Sequence, residues 1–403
     1  MPSTLFYLNS GFDIELGGYE NTKNIPILNE LSMNYVVLSG REDIVLSNSV
    51  PDDGFYRYLE KNGISASQNI ISPEDWEMES NSDMKNFQLW GYNEPAVKML
   101  KLKEGSYPPV ESVRELNSRE FCHFLKHKFN PDCGSQICYG MKELEETIEK
   151  ISDFPVVIKS FFGSSGTGMM IRDGKKISRK EIGRLSGFLN GMSTGFIVEP
   201  WRERTADFSL GMMIDSYGKI TKKYFNVLKN TEKGIFRSVL VSGDSELAGL
   251  ILNDNGNFEL DRYAHAVTEE AAAKKYYGYI GIDGYCFNEK GKTSIEPLSE
   301  INARNTMAGY VIQLKSQYSA CRYARLIISR FSSSNIKDYG SLEELLSFHK
   351  FDISSGEGIL LCNPLYYRTG DRVYKTLYLN FAVFANSIHQ IDEYGMMIAK
   401  MES

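Results

Sequence analysis

The stretch that decides the fold is Ser294-Ile295-Glu296-Pro297-Leu298-Ser299-Glu300-Ile301-Asn302-Ala303-Arg304. It closes a predicted β-hairpin that runs from Tyr279 to Arg304. Because alternate residues of a strand share a face, we expect Glu300, Asn302 and Arg304 to project together. The residues expected to point the other way are Ser299, Ile301 and Ala303.

A carboxylate, an amide and a guanidinium on one strand face indicate a site for a metal ion and phosphate. Mg²⁺ prefers hard oxygen ligands and keeps part of its shell for water and phosphate oxygens, so Glu300 and Asn302 are candidate ligands. Arg304 would neutralise phosphate oxygens beside them. Asp283, on the preceding strand of the hairpin, could supply a second carboxylate. The alternative is a salt-bridged polar face on an exposed sheet.

A glycine-rich loop lies between two predicted strands, 154–159 and 169–171. It consists of Gly163, Ser164, Ser165, Gly166, Thr167 and Gly168. Gly168 is followed by Met169, which excludes a P-loop, and a strand rather than a helix follows, which excludes a dinucleotide-binding fingerprint. The pattern favours a flap whose backbone N–H groups could cover a triphosphate. An ordinary tight hairpin is the alternative.

Two basic residues strengthen the phosphate interpretation. Lys159 ends an apolar strand just before the loop, where an unpaired ammonium would be costly to bury unless an anion meets it. Arg119 opens a predicted helix that is capped by Ser118. Taken singly, each residue could instead be solvated at the surface.

In their order along the chain these features resemble the ATP-grasp superfamily, over roughly residues 110–330. The matching features are Arg119, Lys159 with its glycine loop, Val198-Glu199-Pro200-Trp201, Asp207, Asp283 and Glu300-Ile301-Asn302-Ala303-Arg304. The resemblance implies an α+β fold with an N-terminal α/β (pre-ATP-grasp) lobe and two further lobes that sandwich ATP. Arg119 stands where the family usually has lysine, although arginine also suits a phosphate.

The resemblance also implies a role for each matching residue. Arg119 and Lys159 would contact the phosphates, and the glycine loop would be the flap. The hinge Glu199, Pro200 and Trp201 would recognise adenine, and Asp207 would take the ribose hydroxyls. The implied metal ligands are Asp283, Glu300 and Asn302, for Mg²⁺ or alternatively Mn²⁺.

The implied reaction is an ATP-dependent ligation that forms an amide bond. The string from Glu300 to Met307 resembles the subgroup that joins amino acids or small peptides, whose members activate a carboxylate as an acyl phosphate, let an amine attack it, and release ADP and phosphate. Arg304 would meet the transferred phosphate, and so would Arg237 on a predicted strand, for which a surface ion pair is the alternative. This chemistry needs no side-chain nucleophile.

Two rival functions stay open at this point. One is an ATP-grasp enzyme with a thiol or carrier-protein acceptor, which the acceptor that stimulates ADP release would distinguish. The other is a nucleotide-binding regulatory module without chemistry. The face formed by Glu300, Asn302 and Arg304 speaks against that module, because ATP binding alone does not require a complete transfer site.

Proline-punctuated connectors and a serine-rich break at Ser332-Ser333-Ser334 predict four segments. These are an N-terminal α/β lobe at 1–109, a central lobe with the flap at 110–198, a lobe with the metal ligands at 199–330, and an extension at 331–403 packed on the last lobe. The apolar run from Tyr35 to Leu38 is predicted as a strand, and a helix is predicted from Thr268 to Tyr276. His123 and His127 lie four apart, and we expect them on a solvated helix face.

Length and composition narrow the class of protein. The 403 residues carry a formal net charge of −7, which argues against nucleic acid or an anionic membrane as a partner. The six cysteines form no C-x-x-C pair, and neither a signal peptide nor a membrane span is evident. We therefore expect a cytoplasmic enzyme whose partners are a small-molecule carboxylate and an amine, with a homodimer as one option for its assembly.

Overall fold

A computed structural model describes the chain in eight stretches: residues 3–18, 26–78, 84–163, 168–191, 194–232, 234–243, 246–331 and 336–401. Among these residues, no helix has the length and apolar character needed to cross a membrane. Three main sheets organise the chain, and each belongs to a different lobe.

The N-terminal lobe is built on a parallel sheet with the strand order β4-β2-β1-β5. Its elements are β1 Thr4–Tyr7, α1 Phe12–Leu16, α2 Pro26–Ser32, α3 Tyr35–Leu38, β2 Ile44–Leu46, β3 Val50–Pro51, α4 Asp53–Lys61, β4 Ile70–Ile71, α5 Pro73–Met78, β5 Asn86–Leu89 and α6 Glu94–Met99. The α/β prediction for this lobe is confirmed. The strand predicted at Tyr35–Leu38 is wrong, because this run is one buried helical turn. Four apolar residues buried on all sides carry no periodicity that separates a strand from a helix.

The central lobe is a four-stranded antiparallel sheet with the order β6-β9-β7-β8. Its elements are α7 Val110–Leu116, α8 Arg119–Phe129, β6 Gln136–Cys138, α9 Met141–Lys150, β7 Val156–Ser160, β8 Met169–Arg172, α10 Arg179–Gly191 and β9 Phe196–Pro200. Ser118 caps α8 by accepting a hydrogen bond from the Glu120 N–H, as the sequence predicts. Strands β7 and β8 pair with Lys159 opposite Met169, so the glycine loop connects two neighbouring strands.

An eight-stranded antiparallel sheet forms the largest part of the molecule, with the order β14-β13-β10-β11-β12-β15-β19-β16. The elements of this part are β10 Arg204–Ile214, β11 Ile220–Asn230, β12 Phe236–Ser242, α11 Glu246–Ile251, α12 Asp254–Ala273, β13 Gly278–Glu289, β14 Lys292–Asn302, α13 Met307–Tyr318, β15 Tyr323–Arg330, α14 Tyr339–Leu346, β16 Gly358–Leu361, β17 Tyr366–Thr369, β18 Arg372–Lys375, β19 Tyr378–Ala385 and α15 Ile388–Lys400. The predicted start of α12 at Thr268 is wrong, since the helix begins at Asp254 with Asn253 as its cap. Asn and Gly residues in its first turn weaken the helical pattern there.

The segment after β15 is part of the large sheet rather than a separate layer. Strand β19 pairs with β15 along its whole length, and β16 pairs with β19. The hairpin of β17 and β18 instead pairs with β3 of the N-terminal lobe. The hairpin of β17 and β18, which lies in the chain between β16 and β19 of the large sheet, therefore connects this sheet to the N-terminal lobe.

Candidate active site

A cavity of about 690 Å³ lies where the N-terminal lobe, the central lobe and the large sheet meet. Helices α1 and α2 supply one wall, and the large sheet supplies another. Nine of the predicted site residues line it: Arg119, Lys159, Gly163, Asp207, Arg237, Asp283, Glu300, Asn302 and Arg304. Arg119 and Arg304, which are 185 positions apart in the chain, thus line the same cavity.

The predicted metal ligands face each other across the hairpin of β13 and β14. Asp283 lies opposite Glu300, and Asn302 Nδ2 donates to Asp283 Oδ2 at 3.0 Å. Burial, and after it the neighbouring charge of Glu300, raise the pKa of Asp283 to about 6. A divalent cation bound by both carboxylates would offset the repulsion between them.

The donor set fits Mg²⁺ better than a transition metal. Among the described residues, no group of three or more His, Cys, Asp and Glu side chains is arranged to enclose an ion. Asp283, Glu300 and Asn302 offer oxygen ligands from two carboxylates and one amide, so the rest of the shell would be water and phosphate oxygens, as is usual for Mg²⁺.

Arg304 reaches the same cavity and is held by a residue of the N-terminal lobe. Its Nε donates to Asp13 Oδ1 at 2.6 Å, and its Nη1 donates to the Asn305 carbonyl at 3.0 Å. The guanidinium carbon lies 5.6 Å from the centre of the Trp90 ring. The side chain is fixed from three sides and is only 11% exposed.

Arg119 is buried rather than solvated, and it connects Glu300, a predicted metal ligand, to the base of the glycine loop. Its Nη2 lies 2.9 Å from Glu300 Oε1. The same guanidinium donates to the carbonyls of Ser160 and Gly163 at 2.8 and 3.3 Å. An anion bound at this place would meet a cation whose position is already set by backbone groups.

Lys159 is also buried, in a cluster of two lysines and two glutamates. It pairs with Glu199, while Lys126 Nζ lies 3.3 Å from Glu199 and 3.0 Å from Glu296. Burial alone would raise the pKa of Glu199, but the charges of Lys126 and Lys159 hold it well below its usual range. The cluster is neutral as a whole, which is how four buried charges can be tolerated.

The predicted hinge lies at the end of β9, an inner strand of the central sheet. Glu199 and Pro200 pair with β7, and they line a second cavity, of about 500 Å³, on the other side of the hinge. The backbone N–H of Trp201 donates to the Pro155 carbonyl at 2.9 Å. Asp207, on β10, accepts from Arg204 at 2.9 Å. The Arg204 guanidinium carbon lies 4.7 Å from the centre of the Trp201 ring and 4.2 Å from that of Tyr285.

A β-bulge directs Arg237 into the cavity. Lys229 pairs with Ser238 and Asn230 pairs with Phe236, which leaves Arg237 as the extra residue of β12. Bulges re-aim side chains in this way. Arg237 has no ion pair among the described residues, in contrast to the surface ion pair considered from the sequence.

The glycine loop is described only at its ends. Ser164, Ser165, Gly166 and Thr167 lie outside the described residues. Gly168 has φ +79°, and a Cβ atom there would stand 2.2 Å from Ser160 Oγ. Glycine is therefore required where the loop enters β8.

Two predictions about neighbouring residues are wrong. Ser299 lines the cavity beside Glu300, with its Oγ 3.4 Å from Lys159 Nζ, because a bulge places residues 297–299 opposite Gly284 alone. His123 is buried rather than solvated, and its Nδ1 lies 2.9 Å from Ser135 Oγ.

Four charged residues that line the two cavities and form ion pairs there were not predicted from the sequence: Asp13, Lys126, Arg204 and Glu296. Glu296 lies on the decisive hairpin, four positions before Glu300, and that spacing is the one local signal among them. The other three acquire their partners through tertiary packing, which no local pattern reports.

Comparison with known proteins gives agreement in structure alone. No family model and no curated protein matches the sequence. N5-carboxyaminoimidazole synthetase from Staphylococcus aureus, solved with ADP, is 13% identical with a TM-score of 0.56, over 99% of this chain and 97% of that one. Phosphoribosylamine–glycine ligase from Thermotoga maritima is 11% identical with a TM-score of 0.54, over 100% and 97%.

A third similar structure is the biotin carboxylase domain of 2-oxoglutarate carboxylase from Hydrogenobacter thermophilus, a dimer solved with MgADP, ADP and bicarbonate. It is 12% identical with a TM-score of 0.56, over 97% of this chain and 88% of that one. The chain has the ATP-grasp fold. The predicted fold class is confirmed, and the fold extends over the full length rather than over residues 110–330 alone.

Proposed function

We propose that the chain is an ATP-dependent carboxylate–amine ligase, which activates an amino acid or a small peptide as an acyl phosphate and releases ADP and phosphate. The observation that carries the proposal is the meeting of Asp283, Glu300 and Asn302 with Arg119 and Arg304 in one cavity. Oxygen ligands for a divalent ion beside two buried guanidinium groups suit phosphoryl transfer. The fold shared with solved ligases supports the same reaction class.

The residues of the cavity would divide the work between metal and phosphate. Asp283, Glu300 and Asn302 would hold Mg²⁺, which offsets charge on the phosphates. Lys159 would exchange Glu199 for a phosphate oxygen, and Glu199 would keep Lys126 as its partner. Glu199 would then have a cationic partner both with and without bound nucleotide.

The remaining predicted residues would orient the nucleotide and the transferred group. The hinge from Glu199 to Trp201 would border adenine, Asp207 would bind the ribose hydroxyls, and the glycine loop would cover the phosphates. Arg304, fixed by Asp13, would meet the negative charge that develops as the phosphoryl group moves to the carboxylate. An amine would then attack the acyl carbon, and phosphate would leave.

The nucleotide product and a trapped intermediate test this proposal. Pools of amino acids and dipeptides would be incubated with MgATP and hydroxylamine, which converts an acyl phosphate into a hydroxamate. We expect ADP, phosphate and hydroxamate in equal amounts. AMP and pyrophosphate would overturn the mechanism, and ADP without hydroxamate from any pool would overturn the ligase assignment.

A further inference from the structure

Four charged side chains lie between the two cavities. Lys159 lines the first cavity, which holds the predicted site residues, whereas Lys126, Glu199 and Glu296 line the second. Glu199 contacts both lysines, and Lys126 contacts both glutamates. The side chains of the lysines and of Glu199 are 5–8% exposed, and that of Glu296 is 15% exposed. The charges of this four-residue cluster balance only while all four groups stay together.

A bound nucleotide changes the charge balance of the cluster. In the proposed function, on which this inference rests, Lys159 leaves Glu199 for a phosphate oxygen. Lys126 then faces both Glu199 and Glu296, at 3.3 and 3.0 Å. Two carboxylates that share one lysine leave a negative charge uncompensated away from bulk water, which is costly. Protonation of one carboxylate removes that charge.

Glu296 is the carboxylate that is better placed to take up the proton. It is the more exposed of the two, and it lines a cavity that opens to solvent beside the exposed Asp132 and Glu289. Burial raises the pKa of Glu296 by more than Lys126 lowers it. The pKa of Glu199 lies below its usual range because, despite its burial, two lysines face it.

The other groups around Glu296 do not compete for this proton. The titratable groups that face it are Lys126 of α8, Glu199 of β9, Tyr263 of α12, Tyr285 of β13 and Cys133 of the loop after α8. Burial raises the pKa of both tyrosines and of the cysteine, so all three are already protonated near pH 7. The remaining charged side chains of the second cavity are either paired with each other or exposed: Arg262 with Glu259, Arg202 with Glu289, and Asp132.

We propose that Glu296 takes up one proton from solvent, through the second cavity, when a nucleotide binds in the first. The O–H bond forms on the Glu296 carboxylate, Lys126 stays with Glu199, and the cluster is neutral again. The bound state then holds one proton more than the free state. Nucleotide affinity therefore rises as the pH falls.

Calorimetric titration of the full chain with ADP in the presence of Mg²⁺ tests the proposal. Measured at pH 7 in two buffers that differ in ionisation enthalpy, the binding heats give the number of protons taken up. We expect the parent chain to take up about 0.5 proton or more per ADP beyond the Glu296→Gln variant, whose amide does not titrate. Asp283, with a pKa of about 6, and ADP itself titrate in both proteins and cancel in this difference. Glu289→Gln, in the same cavity, is the matched control and should keep the parent's uptake.

ADP affinity and infrared spectroscopy give two further readouts. Glu296→Gln leaves two lysines to one glutamate, so Lys159 is available to phosphate without any proton uptake. This variant should bind ADP at least about threefold more tightly than the parent at pH 8, and the difference should shrink towards pH 6. In the parent chain alone, ADP binding should add the C=O band of a protonated carboxylic acid to the infrared difference spectrum.

Equal proton uptake in the parent and in Glu296→Gln, or no carboxylic acid band in the parent, would overturn the inference. So would an ADP affinity that depends on K⁺ at constant ionic strength without proton uptake, because a metal ion would then neutralise the cluster. ADP that binds without the proton counts against this inference alone. A chain that does not bind ADP at all would overturn the proposed function, and the inference with it.

Discussion

At the scale of single residues, Arg304 shows where sequence reasoning stops. Glu300, Asn302 and Arg304 all line the cavity, as the predicted alternation requires, although β14 ends at Asn302 and Ser299 lines the cavity as well. Its ion-pair partner, Asp13, comes from a helix in another lobe, and the sequence around Arg304 holds no sign of it. The face on which a side chain lies can be predicted from the local sequence. The group that holds it in place comes from tertiary packing and cannot.

Glu300 is the residue on which the metal assignment depends most. Glu300→Gln keeps the size of the side chain but removes the charge that a divalent ion requires, so we expect ATP turnover to fall at least about 100-fold with an unchanged circular dichroism spectrum. Glu289→Gln, near the tip of the same hairpin and about half exposed, is the matched control and should keep full turnover. Normal activity in Glu300→Gln would contradict the assignment.

Lys126 is expected to matter for stability because two buried carboxylates depend on it. Lys126→Met leaves Glu296 without its cation and Glu199 with Lys159 alone, so we expect a loss of about 3–5 kcal/mol in the free energy of unfolding. The control is Lys128→Met on the same helix, where the lysine is exposed and lies 3.8 Å from Glu270. That change should cost less than about 0.5 kcal/mol. Chemical denaturation measures both, and equal midpoints would rule out a stabilising role for the cluster.

At the scale of elements, helix α8 carries a group whose titration should affect stability. Burial, followed by the charges of His127 and Lys126, lowers the pKa of His123 to about 4. The unfolded chain takes up this proton near pH 6.5, and the folded chain does so only near pH 4. Folding stability should therefore be fully present above pH 6.5 and decline as the pH falls towards 4, by about 2–3 kcal/mol from this group.

His123→Gln should flatten that pH dependence, as measured by denaturation at pH 7 and pH 4.5. His389→Gln should not, because His389 is 85% exposed. An identical pH dependence in the parent chain and in His123→Gln would show that the proton is not taken up on unfolding at this residue.

The elements that the sequence predicted best are those with a clear cap or turn. Helix α8 has a serine cap and an amphipathic run, and the hairpin of β13 and β14 has a turn with Gly291 at positive φ. Prediction was wrong where the period is interrupted. Three residues oppose one at the bulge beside Gly284, and this places Ser299 next to Glu300. The turn Tyr35–Leu38 is too short and too fully buried to show any period.

At the scale of the whole molecule, the three lobes share one cavity, so a ligand bound there should stabilise them together. With MgADP at about 100 times its Kd, we expect a stabilisation of about 2.7 kcal/mol and a rise of about 3 °C in a single thermal transition. Lys159→Met should lose most of this shift, while the exposed Lys175→Met should keep it. An undiminished shift in Lys159→Met would mean that the nucleotide binds elsewhere.

The fold class could be predicted from the sequence, but the pairing of strands that lie far apart in the chain could not. Ordered motifs from Arg119 to Arg304 were enough for the fold class, because each motif is local. The sequence did not reveal that β16 and β19 belong to the large sheet, or that β17 pairs with β3. The paired residues lie 48–62 positions apart in β15 and β19 and more than 300 positions apart in β17 and β3, and nothing in either segment alone indicates its partner.

The place of β19 in the large sheet has a consequence for biosynthesis. Strand β15 emerges from the ribosome well before β19, its neighbour on one side, and β16 emerges between them without a strand to pair with. At ordinary translation speeds this interval lasts several seconds. During this interval the nascent chain exposes the unpaired edge of β15 and the apolar β16. Such unpaired strand edges promote aggregation. Newly made protein should therefore depend on holding chaperones until residue 385 has been released.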